Sequence, residues 1–235
     1  IWTMIDKITP RPSDDVGKML GDLGVEDMQT VVTSKRTYIA PFVNAEAPGY
    51  LVIEDTFPNG RPPLEKAEAV YMTDRKTVNL SERMKLTTCL NPIHSALCTY
   101  DRLLGYELFA DGMHDTELAK LANRVGYDDG LPVVPDPGII SPRAFLKECL
   151  EVRFPNAYLG DTSARIATDI SQGLAFRFGE TVKAYVARDG SAAKLTGIPL
   201  AIAGWVRYLL AVDDEGNAFE LSPDPLNAEM TKLLE

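Results

Sequence analysis

Within MKLTTCLNPIHSAL, Met84 to Leu97, a lysine, an asparagine and a histidine interrupt an apolar run that otherwise has the texture of a helix, and a proline sits in its middle. These are residue types that hold or move a proton. A desolvated lysine with a lowered pKa can accept an alcohol proton as hydride leaves, while asparagine and histidine donate to the developing alkoxide. At about 100° per residue, Asn91 and His94 share a helix face, whereas Lys85 would point away on a straight helix. Pro92 alters this, because its ring removes a backbone donor and clashes with the carbonyl of Thr88, favouring a kink or an inserted residue. A one-residue π-type bulge between Lys85 and Asn91 would bring Lys85, Asn91 and His94 to one cavity. Glu82, one turn before Lys85, could hold the lysine or pass its proton to water. The plainer alternative is a satisfied core pair of asparagine and histidine beside a solvated lysine.

Other chemistries are poorly supplied. There are two histidines, and Cys89, His94 and His114, the last placed in a loop, show no metal-ligand spacing, so no metal site is expected. No G-x-S-x-G occurs, and no G-x-G-x-x-G or G-x-x-x-x-G-K-[ST] loop. GKMLGDLG has glycines at the wrong spacing, so a nucleotide serving this site would be bound elsewhere.

The elements that must position these residues are mainly helical. Ser13 caps a helix beginning Asp14-Asp15; Ser81–Leu104 and Asp115–Val125 follow; Ser141-Pro142 opens a helix through Val152; and Ala164–Ala187, Pro199–Val212 and the tail PLNAEMTKLLE complete the set. Pro199–Val212 is the most apolar and is expected at the centre of the core. A small β portion near residues 37–73 is predicted from TYIAPFV, YLVIED and AEAVYMTD. The expected fold is one mainly α, multi-helical domain over residues 1–235, without internal repeats.

Composition narrows the class. The 235 residues are 45% apolar and carry a net charge of −10, which argues against a nucleic-acid partner. No run approaches the roughly 18 apolar residues of a membrane span, and the best, Ile198–Val206, is short. Asp6, Lys7 and Arg11 precede any apolar core, unlike a signal peptide. Cys89, Cys98 and Cys149 read as reduced core thiols of a cytoplasmic protein. The opening IWTMIDKITP lacks an initiator methionine and has the texture of the interior of a longer chain.

Four blocks in order resemble the polyol-specific long-chain dehydrogenases, the family of mannitol dehydrogenase and the mannonate and altronate oxidoreductases. They are TMIDKITP; YLVIEDTFPNGRPPLE; SERMK with LNPIHSAL and LLGY; and RIATDISQGLAFRFGE. The resemblance implies a zinc-independent enzyme using NAD or NADP, in which Lys85 is the general acid/base, Asn91 stabilises the oxyanion, His94 binds and orients the substrate hydroxyl, Glu82 gates proton release and Arg165 binds substrate. It further implies that this chain is the C-terminal domain, resembling those of 6-phosphogluconate dehydrogenase, with its NAD(P)-binding Rossmann domain upstream. Three departures stand out. The Lys85 to Asn91 step is six where the family has five, Trp2 stands where many members have a second oxyanion asparagine, and Gly173 stands where many have a substrate-binding lysine.

The expected activity is interconversion of a ketose or ketohexuronate with its polyol or aldonate. Arg165 and Arg177 fall about three turns apart on one predicted helix, offset by roughly 120°. Arg165 carries the motif match, and Arg177 is equally suited to a surface ion pair. A 6-phosphogluconate or hydroxy-acid dehydrogenase-type domain, or a non-catalytic helical module for dimerisation or partner binding, would account for the same helices.

Overall fold

The computed structural model describes residues 1–10 and 13–234; Arg11 and the last residue of the tail lie outside it. The first 73 residues form strands around a short helix. They are β1 (Thr3–Asp6), α1 (Asp14–Asp22), β2 (Val31–Val32), β3 (Tyr38–Ile39), β4 (Tyr50–Glu54) and β5 (Val70–Thr73). β4 is central in a three-stranded sheet, antiparallel to β1 with Met4 opposite Val52, and parallel to β5 with Val52 opposite Tyr71. In β1 the period-two alternation buries Met4 and Asp6 and exposes Thr3 and Ile5. β2 and β3 pair separately. The expected β portion is present, but β1 and β2 lie ahead of the predicted range.

The remainder is helical: α2 (Arg75–Met84), α3 (Asn91–Leu104), α4 (Phe109–His114), α5 (Thr116–Asn123), α6 (Pro142–Glu148), α7 (Ser163–Ile166), α8 (Ile170–Arg177), α9 (Gly179–Asp189), α10 (Gly197–Tyr208) and α11 (Asn227–Lys232). Side-chain caps fix several starts. Ser13, Asp74, Asp115 and Ser141 each accept from a backbone N–H in the first turn of the helix they precede. α3 is the hub and is buried at Pro92 through Thr99. It packs on α10 where Gly204 lies under the ring of Tyr100; a Cβ there would come within 2.4 Å of that ring.

Among the described residues three segments are π-helical: Lys85–Cys89, Arg124–Gly130 and Cys149–Arg153. Each continues an α-helix and swings its last residues inward. The second delivers Asp129 to the start of α10, where its carboxylate accepts from Ile198 N–H at 2.8 Å. The third delivers Arg153 into the interior.

Several expectations need correction. The predicted helix Ser81–Leu104 begins earlier, at Arg75 behind the Asp74 cap, and is broken into α2, a π turn and α3. The predicted helix Ala164–Ala187 is three helices, because Asp169 adopts a left-handed φ of 54° between α7 and α8 and Phe178 separates α8 from α9. His114 ends a helix and is not in a loop. α10 buries one face on α3 and leaves Leu200, Ile202 and Val206 exposed, so it flanks the core.

Candidate active site

The break between α2 and α3 is the local feature that builds the site. The N–H of Leu90 donates to Lys85 carbonyl oxygen at 3.2 Å, a five-residue return that inserts one residue into the helix. Leu90 then leaves helical geometry, and α3 restarts at Asn91 with Pro92 in its first turn, where a missing N–H costs no hydrogen bond. The inserted residue is the bulge that the six-residue step and Pro92 predicted.

The restarted helix turns Asn91 and His94 to a cavity of about 400 Å³ that is also lined by Arg165, Ile166, Thr168 and Arg177. The split between α7 and α8 makes this possible, since Thr168 and Asp169 form the corner that carries Arg165 to one side and Arg177 to the other. Asn91 Oδ1 is buried and has no hydrogen-bond partner among the described residues.

His94 is buried, its ring set against Phe109 and Phe154 with centroids 4.7 Å away in each case. Burial, followed by the positive charges of Arg165, Arg177, Arg153 and Lys85, pushes its pKa down to about 3. It is therefore a neutral imidazole at ordinary pH, with one nitrogen donating and one accepting. That suits it to orient a hydroxyl rather than to supply a proton.

The two arginines differ in how they are neutralised. Arg165 is half-exposed and its guanidinium is paired in bidentate fashion with Asp161, at 2.6 and 2.5 Å. Arg177 donates to Ser95 Oγ at 2.5 Å, and no carboxylate pairs with it among the described residues. The two lie on separate helices, which overturns the single-helix geometry expected for them.

The bulge forms, but the expectation that it would bring Lys85 to the same cavity as Asn91 and His94 is not met: Lys85 does not line it. Its ammonium is on the sheet side, 3.0 Å from Asp6 Oδ1 and 3.2 Å from the carbonyl oxygen of Ile5, which accepts from it. Asp6 in turn belongs to a buried cluster in which Arg153 donates to Asp6 at 2.8 Å and to Glu46 at 2.6 and 2.8 Å. Lys85 and Arg153 thus meet Asp6 and Glu46 in the interior, with Glu148 at 3.9 Å from Arg153 as a third carboxylate. Glu82 is half-buried one turn before Lys85, and its carboxylate makes no hydrogen bond or ion pair among the described residues. Trp2 stays outside the cavity and is half-exposed, with the Arg75 guanidinium 4.2 Å from its ring centroid.

Asn91, His94 and Arg165 are therefore brought together, whereas Glu82 on α2 and Lys85 at the start of the π turn do not line the cavity. Four contributors carried no sequence-level assignment. The Asp161 clamp was accessible from its four-residue spacing to Arg165. Asp6, Ser95 and Thr168 gave no comparable signal, since their roles depend on contacts distant in sequence. A larger concavity of about 790 Å³ between α1 and the β2–β3 pair holds none of these groups. Among the described residues, no cluster of three or more His, Cys, Asp or Glu side chains could hold a metal ion, and no helix is long and apolar enough to cross a membrane.

Comparison with known proteins agrees with this architecture. A D-mannonate oxidoreductase of Thermotoga maritima is 58% identical over 227 residues, covering 96% of this chain and 42% of that protein. A mannitol 2-dehydrogenase of Pyricularia oryzae is 30% identical over 97% of this chain and 42% of its own length. The solved Pseudomonas fluorescens mannitol 2-dehydrogenase, in ternary complex with NAD and D-mannitol, superposes with a TM-score of 0.76 at 27% identity, over 99% of this chain and 43% of that one. The chain thus spans less than half the length of the curated relatives it matches. Residues 78–234 match the mannitol dehydrogenase C-terminal domain, and the chain belongs to that family.

Proposed function

We propose that this chain is the substrate-binding and proton-handling domain of an NAD(P)-dependent oxidoreductase that interconverts a ketose or ketohexuronate with its polyol or aldonate. The observation that carries this is the π turn at Lys85–Cys89, which sets Asn91 and His94 onto one cavity with Arg165.

The cavity fits the sugar end of the reaction, offering cations and hydrogen-bonding groups but no glycine-rich phosphate loop. The nucleotide is assigned to a Rossmann domain preceding Ile1, consistent with the share of each relative that this chain covers. When bound, the nicotinamide supplies the hydride acceptor. Lys85 takes the hydroxyl proton while the C–H electron pair leaves the same carbon. Asn91 and neutral His94 hydrogen-bond the oxygen as its charge develops. Asp6 and the Ile5 carbonyl are the resting partners of the lysine, and Glu82 passes its proton to solvent.

The test is Lys85→Ala in the full-length protein, followed by nicotinamide absorbance at 340 nm with ketohexuronates and ketoses. Loss of about 100-fold or more in kcat is expected for a general acid/base. Undiminished hydride transfer would remove Lys85 from the mechanism.

A further inference from the structure

We propose that Arg177 is the carboxylate-binding residue of this site, given its place by Gly173 and Ser95, so that the substrate class is a sugar acid rather than a neutral polyol. The proposal rests on the preceding reading in one respect, that the cavity of Asn91 and His94 is where substrate binds.

Of the three arginines whose charges bear on His94, the other two have carboxylates. Arg153 has Asp6 and Glu46, and Arg165 has Asp161 in bidentate geometry. Arg177 has only the neutral hydroxyl of Ser95, which engages one of its five N–H groups. Burial pulls its pKa below the usual arginine range, with no carboxylate nearby to offset the loss of water. A cation held at a cavity wall under these conditions is a site for an anion brought by the ligand.

Gly173 gives the second, independent observation. It lies inside α8, where glycine costs about 1 kcal/mol relative to alanine, and its φ is not one that requires glycine. What it provides is space. A Cβ at position 173 would come within 2.9 Å of Arg177 Nε, 3.0 Å of Cζ and 3.2 Å of Cδ. The guanidinium passes over the bare Cα to reach the cavity and Ser95, and any side chain there would turn it aside. Ser95 adjoins His94 on α3, so the same turn of helix that orients the reacting hydroxyl also fixes the anion receptor.

The test compares D-mannonate with D-mannitol on the full-length protein carrying Arg177→Gln, Arg177→Lys or Gly173→Ala. The ratio of kcat/KM for mannonate over mannitol is expected to fall about 30-fold or more in Arg177→Gln, chiefly through KM. Arg177→Lys should recover part of the ratio, and Gly173→Ala should shift it the same way as Arg177→Gln by displacing the guanidinium. Calorimetry of mannonate binding supplies a readout independent of turnover. If both substrates lose equally in all three variants, Arg177 is structural and the assignment is wrong. A wild-type preference for mannitol would also overturn it while leaving the oxidoreductase reading intact. Mannonate binding that is lost in Arg177→Gln, in a protein that transfers no hydride, would uphold the carboxylate site and overturn the reaction.

Discussion

Acidification should pull the stability of this protein in two opposite directions, and the two sources are identifiable. His94 has its pKa pushed from 6.5 to about 3 by burial and surrounding arginines. Between those values the unfolded chain binds a proton that the native imidazole refuses, so stability falls as pH falls, by about 1.4 kcal/mol per unit. Asp101, buried with Ser163 Oγ donating to it at 2.6 Å, has its pKa raised by burial from 3.8 to about 7. Here the native state keeps a proton that the unfolded chain has lost, so stability rises as pH falls from about 7 to 3.8. From pH 7 to 5 the His94 effect costs about 2 kcal/mol and the Asp101 effect returns about 2 kcal/mol, largely masking each other in the wild type. Urea denaturation of His94→Gln and Asp101→Asn at both pH values separates them. The deficit of His94→Gln relative to wild type should shrink by about 2 kcal/mol on acidification, and Asp101→Asn should lose a similar amount of relative stability. With only His94 and His114 in the chain, imidazole proton resonances give a direct check. A His94 signal that titrates between pH 8 and 5, or a His94→Gln deficit that is constant with pH, would refute the neutral buried imidazole.

Two further outcomes follow from the same geometry. Gly112→Ala would put a Cβ 1.8 Å from Asp101 Oδ1, and with that carboxyl fixed by Ser163 the variant should lose about 3 kcal/mol, visible as a lowered urea midpoint. Deleting Leu86 should convert the π turn to regular α-helix and rotate α2 by about 100° relative to α3. Turnover should then drop by about 100-fold or more with little change in far-ultraviolet circular dichroism, and a fully active deletion would show that the inserted residue has no functional part.

What could be read from the sequence depended on whether the cause was local. The caps at Ser13, Asp115 and Ser141 act on N–H groups in the next turn, so the helices they start were predictable. The π turn at Lys85–Cys89 was predictable because Pro92 and an extra residue both sit within one turn of it. The π turns at Arg124–Gly130 and Cys149–Arg153 also have a proline just beyond them, Pro132 and Pro155, but no extra residue against a known spacing to mark them. The first is held by close packing, Gly130 against Thr88 and Gly126 against Leu146, contacts made by residues distant in sequence. The division of 164–187 follows the same rule. The start of α8 is fixed by Asp224, which accepts from Ser171 N–H and Oγ–H from 53 residues away. Helix spacing placed Asn91 and His94 on one face, but it did not place Lys85, whose position is set by Asp6 and Ile5 about 80 residues away in sequence.

Charge partners sort the cations around the site by function. Arg153 is sealed between Asp6 and Glu46 and cannot reach a ligand without leaving two carboxylates buried and unpaired, a loss of several kcal/mol. Lys85 shares Asp6 with Arg153, so its resting position is tied to the buried cluster, and the sheet carrying β1 thereby holds the residue proposed to move the proton. Arg165 is half-satisfied by Asp161 and open to solvent, which suits a contact that forms and breaks. Arg177 alone in this group faces the cavity without a carboxylate among the described residues. Because the chain as a whole carries a charge of −10, long-range attraction cannot bring an anionic substrate in, and the field is screened beyond about 8 Å at physiological salt. Selection for a carboxylate must then be made at contact distance. Of the residues here, Arg177 over Gly173 is the one built to make it.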